Sequence, residues 1–354
     1  MGSIVPFLGM VMAVLAQASD MVISKAAMSK GISRHVLLVY SYALSSLILL
    51  PISIFSHRSD LHPLCFPLLS SFFLLALIGF SGQALNYAGV QFSSPTLGTA
   101  MLNLVPAFTF IFALLFRMEK LDLKSSSSLA KFIGTVVSIS GAFTVTIYKG
   151  LPFIIMPSFD GLNHQLLLSE EGNWILGGFL SATHAMMTSL WYILQASILK
   201  KYTSVLIVVF FYSLFATILS AVVSLTVEDF GAWRLRTDMG LVAVIYSAVV
   251  GNVFRLGMTT LCVRMSGPVF VSMFKPLGIV AAALMGIIFL GDTLFLGSVI
   301  GAIVIAAGFY AVMWGIAKEE QAGKGSGVTV IEDSSTQNEP LLQTNIHEIN
   351  KLAV

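Results

Sequence analysis

The chain has 354 residues, 56% of them hydrophobic and only 10% charged, with a mean hydropathy of +0.90. No soluble domain needs that much apolar surface, and a net charge of +2 implies no nucleic-acid partner. Cys65 and Cys262 make no disulfide framework, and no phosphate-binding loop, HExxH motif or metal-ligand cluster occurs, so neither cofactor nor metal is expected.

Apolar runs of about 20 residues recur, each long enough to cross a bilayer as a helix. They are continuous rather than alternating, which favours helices over a barrel. The predicted helices are ten: 6–27, 36–55, 67–91, 95–117, 129–148, 174–199, 204–226, 239–262, 267–290 and 294–316. The first reads as a retained helix and not a signal peptide, because no Lys or Arg precedes Lys25 and Asp20 interrupts the run. The expected fold class is therefore all-α and integral to the membrane. Its units are 1–150, an extracellular linker 151–173, a second unit 174–316 and a disordered cytoplasmic tail 317–354 rich in Gly, Ser, Glu and Gln. With the N-terminus inside, the inner loops hold ten Lys and Arg and the outer loops six, a bias that puts both termini in the cytoplasm.

The two units repeat one another. Residues 94–121 and 267–294 each begin with a small residue and Pro (Pro95, Pro268) and carry a second Pro within the helix (Pro106, Pro276). The fifth helix has Gly134 and Gly141 where the tenth has Gly301 and Gly308, and the third and eighth each carry a mid-span glycine, Gly79 and Gly251. Five helices per unit is an odd number, so the units must cross the membrane with opposite topology, as inverted repeats. The glycines also allow close helix packing. Pro106 and Pro276 are candidate hinges that free the carbonyls of Leu102 and Ser272.

Polar residues fall on the faces of particular helices. Gln17, Asp20 and Ser24 share a face of the first; Gly79, Gln83 and Asn86 one of the third; Thr96, Thr99, Asn103 and Pro106 one of the fourth. The sixth carries Ser181, His184, Thr188, Trp191 and Gln195; the eighth Ser247, Gly251 and Arg255 with Asn252 beside them; the ninth Ser272, Lys275 and Pro276. The second, fifth, seventh and tenth have hydroxyls and occasional tyrosines only, and are expected to form an outer scaffold around the other six.

A charge at the centre of a membrane helix costs about 2.5–3.5 kcal/mol, so Asp20, Arg255 and Lys275 need partners or water. In one reading Asp20 takes the ammonium of a zwitterion and Arg255 or Lys275 its carboxylate, with Gln83, Asn86, Asn103 and Asn252 supplying neutral hydrogen bonds. In the other, Asp20 pairs internally with Lys275 or Arg255. His184 reads either as a proton carrier or as a hydrogen-bonded interior residue, and Trp191 as cavity wall. Gly79-Phe80-Ser81-Gly82 matches the G-x-S-G of rhomboid proteases with His184 as base, but Ser81 lies mid-helix and the repeated architecture is unlike that fold.

Several stretches resemble one family. They are Ser24-Lys25-Ala26-Ala27 with Gly31, Asn103-Leu104-Val105-Pro106-Ala107-x-Thr109-Phe110, Phe116-Arg117-x-Glu119-Lys120, Trp191-x-Ile193-Leu194-Gln195, Gly267-Pro268-Val269-Phe270, and Leu296-Gly297-Ser298-x-Ile300-Gly301. Together they resemble the plant nodulin-like EamA transporters, the "Walls Are Thin"-related or UMAMIT family of the drug/metabolite transporter superfamily. Asp292 stands where many of that family have Glu. The resemblance implies two EamA repeats and facilitated or proton-linked export of amino acids or related small metabolites, with auxin or another small organic acid as the alternative. It also implies the plasma membrane, or the tonoplast for some relatives. The partners expected are the small-molecule substrate and the bilayer, and a homodimer is left open.

Overall fold

The computed structural model describes residues 4–57, 66–92, 101–118, 126–147, 152–154, 171–202, 204–233, 239–290, 294–295, 300–315 and 318. The helices in chain order are α1 (Ile4–Ser29), α2 (Arg34–His57), α3 (Phe66–Phe92), α4 (Val105–Leu115), α5 (Ser126–Ile147), α6 (Glu171–Lys201) and α7 (Val205–Val227). Then come α8 (Met239–Tyr246), a π-helical stretch Ser247–Phe254, α9 (Arg255–Ser272), α10 (Lys275–Leu290) and α11 (Ile300–Gly315). Among the described residues, five helical stretches are long and apolar enough to cross a membrane, the last covering Met239 to Ser272 with a kink at Gly267. Apolar side chains are exposed on these and the other helices: Phe66, Ile175 and Tyr310 are 83%, 76% and 73% exposed. Lipid, not water, suits such a surface.

The predicted start of the fourth helix at 95, the end of the tenth at 316 and the tail apart from Lys318 lie outside the described residues. Most predicted helix ends that fall within the described residues agree with the structure to within a few residues, with two differences. The tenth predicted helix does not open at 294, because Leu294–Phe295 forms a short strand (β2); its described part is Ile300–Gly315. Strand β2 pairs antiparallel with β1, Pro152–Ile154, which lies in the expected linker. Predicted helices eight and nine meet at Gly267, whose φ of +84° is cheap only for glycine, and Pro268 opens the segment beyond.

Glycine sets the closest approaches. A Cβ on Gly134 would lie 2.7 Å from the Gly308 carbonyl oxygen, one on Gly141 2.7 Å from the Ile305 nitrogen, and one on Gly315 2.8 Å from the Ser127 carbonyl oxygen. Backbone meets backbone there, so only hydrogen fits. As α5 advances, its partner residues on α11 recede, so these two helices run antiparallel.

The ends of the bundle are tied by polar contacts. At one end Glu228 accepts hydrogen bonds from Ser33 and from His35 Nδ1 (2.8 Å), and the Tyr40 hydroxyl donates to the Trp233 carbonyl at 2.8 Å. There the α1–α2 connection meets the end of α7. Lys318 Nζ donates to Ser126 Oγ at 2.7 Å, joining the residues beyond α11 to the start of α5. The large apolar core lies between, built on Phe72, Leu75, Trp191, Tyr212, Val271 and Phe274.

Candidate functional site: a polar middle between two helix crossings

Both internal prolines open a half-helix. Asn103 and Leu104 form a turn, the Leu104 N–H reaches the Met101 carbonyl at 3.0 Å, and Pro106 sits in the first turn of α4. Met273 and Phe274 repeat this turn, with the Phe274 N–H on the Val271 carbonyl at 3.3 Å and Pro276 second in α10. A first-turn proline has no orphan N–H to satisfy. The break therefore stands just before each proline, and two helix N-termini with their partial positive charge begin inside the protein. Asn103, at the first break, is fully buried, and neither of its amide atoms has a hydrogen-bond partner. Thr99 lies outside the described residues.

The first crossing is between α1 and the π-helical stretch. Ser247 Oγ donates to Asp20 Oδ1 at 2.5 Å, Ser24 and Ser247 hydroxyls lie 3.4 Å apart, and the Tyr246 hydroxyl donates to Ser19 at 2.8 Å. Gly251 is what lets the carboxylate in, since a Cβ there would stand 2.7 Å from Asp20 Oδ2. The widened i→i+5 turn keeps Ser247, Gly251 and Arg255 on one face, and such turns concentrate at functional sites. Arg255 Nε donates back to the Gly251 carbonyl at 2.8 Å. Among the described residues Asp20 forms no ion pair with Arg255 or Lys275; the internal pairing read from the sequence is not made, because hydroxyls and a local carbonyl satisfy the charges instead. Gln17 is exposed and Asn252 buried.

The second crossing is between α3 and α6. A Cβ on Gly79 would lie 2.7 Å from the Tyr212 hydroxyl and 3.2 Å from Trp191 Nε1, one on Gly82 3.2 Å from His184 Nδ1, and one on Gly89 3.0 Å from the Gly177 carbonyl oxygen and the Ser181 nitrogen. The polar stripe of α6 thus packs on the glycines of α3. Ser181 Oγ, His184 Nδ1 and Trp191 Nε1 are buried without a hydrogen-bond partner on the protein. Gln195 Nε2 donates to Thr260 at 2.8 Å, but its Oε1 has no partner. Each such atom costs about 1–3 kcal/mol. Asn86 is half-buried on the same helix as Gln83, whose amide donates to the Tyr42 hydroxyl at 3.3 Å.

Aromatic rings close the middle. Trp191 packs edge-on against Tyr192 and Tyr212 at 5.3 and 5.7 Å, and Tyr212 against Tyr42 at 6.3 Å. The Lys275 ammonium stands 5.9 Å from the Tyr192 ring centroid. Tyr42 and Tyr212 were not among the expected site residues, and they correct the outer-scaffold reading: α2 and α7 pack on each other and bring both rings inside. The repeat itself carried the signal. Setting Tyr42 on Tyr212 also pairs Leu44 with Leu214, Ile48 with Ile218 and Leu49 with Leu219. The rhomboid-like dyad is not assembled, since Ser81 returns its hydroxyl to the Ile78 carbonyl at 3.1 Å.

Apolar-faced helices around a buried polar middle, broken at two prolines, describe a carrier rather than a catalyst. Residues 5–147 match the EamA-like transporter family, and the chain is a multi-pass membrane transporter of the drug/metabolite superfamily. Three WAT1-related proteins of Arabidopsis thaliana are similar to it throughout. One is 42% identical over 98% of this chain and 94% of its own, another 44% over 89% and 84%, and a third 41% over 90% of each. The chain belongs to this plant WAT1-related family. A solved crystal structure aligns with 89% of the chain and 98% of its own at a TM-score of 0.65 and 12% identity, a likeness of fold.

Proposed function

We propose that the protein carries amino acids or related small metabolites by alternating access, with the substrate held at the midplane between two inverted five-helix repeats. The observation that carries this reading is the division of charge across the middle. Asp20 offers its carboxylate at the first crossing, whereas Lys275 stands over the Tyr192 ring, next to Trp191 with its unpartnered N–H, and no ion pair joins Asp20 to Lys275 among the described residues. A zwitterion presents an ammonium and a carboxylate and fits such a division. Arg255 is the weaker carboxylate anchor, because its Nε is already engaged by its own helix. The antiparallel course of α5 and α11 supports the inverted repeat. The positive-inside bias supports cytoplasmic termini, and the plasma membrane is the proposed location.

Asp20→Asn is expected to abolish efflux of radiolabelled amino acids from oocytes while leaving folded protein in the membrane; unimpaired export would sink the assignment. Asp20 is already hydrogen-bonded by Ser247, and this favours a second reading in which the substrate is a small organic acid. The two separate cleanly. An organic-acid carrier tolerates Asp20→Asn and fails with Lys275→Gln, whereas an amino-acid carrier fails with both. The same oocyte panel, run with and without a pH gradient, distinguishes proton-linked from facilitated transport.

A further inference from the structure

We propose that the polar stripe of α6 is a substrate-contacting surface shut, in this conformation, against the glycine face of α3, and that this crossing parts during transport, so that Ser181 joins the residues the substrate meets. The inference rests on the carrier reading above.

Its first support is the pattern of unpartnered atoms. Ser181 is fully buried with no hydrogen-bond partner, although Thr183 and Ser189 on the same helix return their hydroxyls to Phe179 and Ala185 carbonyls at 2.8 and 2.9 Å. His184 Nδ1 and Trp191 Nε1 follow along the same stripe. Buried polar atoms are ordinarily satisfied, so a row of exceptions on one helix face points to partners that come and go. Water or a polar solute in an opened crossing supplies them.

The second support is what covers the stripe. Gly79, Gly82 and Gly89 of α3 oppose it with bare backbone. Helix α3 presents no side chain of its own at these points: Trp191, His184 and Ser181 of α6 rest on bare backbone, so separation frees the α6 side chains without disengaging any from α3. Gly89 and Ser181 lie at the C-terminal end of α3 and near the start of α6, whereas Gly79 and Trp191 lie deep in the bundle. Parting the crossing therefore opens a polar track from one end of the bundle to Trp191, whose neighbour Tyr192 lies under the Lys275 ammonium.

The test is thiol labelling of the full-length protein in lipid nanodiscs, where both faces meet the water-soluble reagent sulfonatoethyl methanethiosulfonate. In a Cys65→Ser, Cys262→Ser background, Ser181→Cys is compared with Asp229→Cys, which is exposed, and Ala243→Cys, which is fully buried away from the crossing. A charged reagent needs water and a thiolate, so Ser181→Cys is expected to react more slowly than Asp229→Cys but at least about tenfold faster than Ala243→Cys. Adding Gly82→Ala puts a methyl carbon 3.2 Å from His184 Nδ1 and 3.3 Å from Met187 Cβ, clear of the labelled position, and wedges the crossing. It should speed labelling of Ser181→Cys several-fold and leave Ala243→Cys unchanged, which also shows that the fold is kept. Ser181→Cys as inert as Ala243→Cys, or equal acceleration at both positions, overturns the proposal. Labelling reads the crossing without any transport measurement, so the efflux assay can fail while the crossing is still shown to open.

Discussion

Two crossings stand at corresponding places in the halves and are finished in opposite ways. A single register sets Gly79 on Gly251 and, within one residue, Asp20 on Trp191. Where Gly251 admits Asp20, the carboxylate is met by Ser247 and wedged in place; where Gly79 admits Trp191, the indole N–H is left without a partner. One crossing is electrostatically settled and the other is not. Duplication gives the two halves the same close approach, and divergence at one side-chain position makes one of them a fixed joint and the other a place that gains by meeting a polar guest.

The largest effect that tests this contrast comes from filling the glycines. Gly251→Ala brings a methyl carbon to 2.7 Å from a carboxylate oxygen that cannot move without losing Ser247. We expect a loss of about 1–3 kcal/mol, the usual cost of overpacking, read as a fall in the apparent Tm of the purified protein. Gly79→Ala meets the tips of Tyr212 and Trp191, which shift more easily, and is expected to cost less than half as much. Equal losses would erase the distinction between joint and opening.

A smaller effect of opposite sign comes from the unpartnered groups. Asn103→Leu replaces a fully buried amide lacking both partners by an apolar side chain of similar volume. Apparent stability should rise by about 1 kcal/mol, since an unsatisfied polar group no longer has to be buried, while substrate efflux falls. Trp191→Phe should act alike and more weakly, because the ring contacts with Tyr192 and Tyr212 persist. Destabilisation by Asn103→Leu would mean that the amide is satisfied after all.

Much of this was legible in the residues. Apolar length placed the helices, paired prolines placed the breaks, and Gly79, Gly134, Gly141, Gly251 and Gly308 marked where helices could come close, though not which residue each would meet. The rest was hidden for physical reasons. A tyrosine reads equally as a membrane-interface anchor or as an interior hydroxyl, so residue type does not single out Tyr42 and Tyr212 although the repeat pairs them. Nothing local marks Ser247–Phe254 as π-helical. Whether Arg255 reaches across the middle or back to Gly251 depends on its rotamer, and sequence spacing does not carry rotamers. Hydrogen-bond satisfaction belongs to the assembled bundle, which is why the α6 stripe looked like a cavity lining and proved to be packed on glycine.

The smallest effect is expected at the end of the bundle, where Glu228 ties the α1–α2 connection to α7. The Ser33 hydroxyl, and then His35, hold the Glu228 carboxyl below the ordinary glutamate range, because both favour its charged form. A lowered native value means that the stabilisation is fully present above the unfolded value, about 4.3, and is lost as pH falls through the lowered one. Glu228→Gln should therefore lower the apparent Tm slightly near neutral pH, by the equivalent of about 0–1 kcal/mol for a partly exposed pair. On acidification below the ordinary glutamate value the gap between variant and wild type should close. A gap that widened there would mean that the protonated carboxyl, and not the carboxylate, makes the tie.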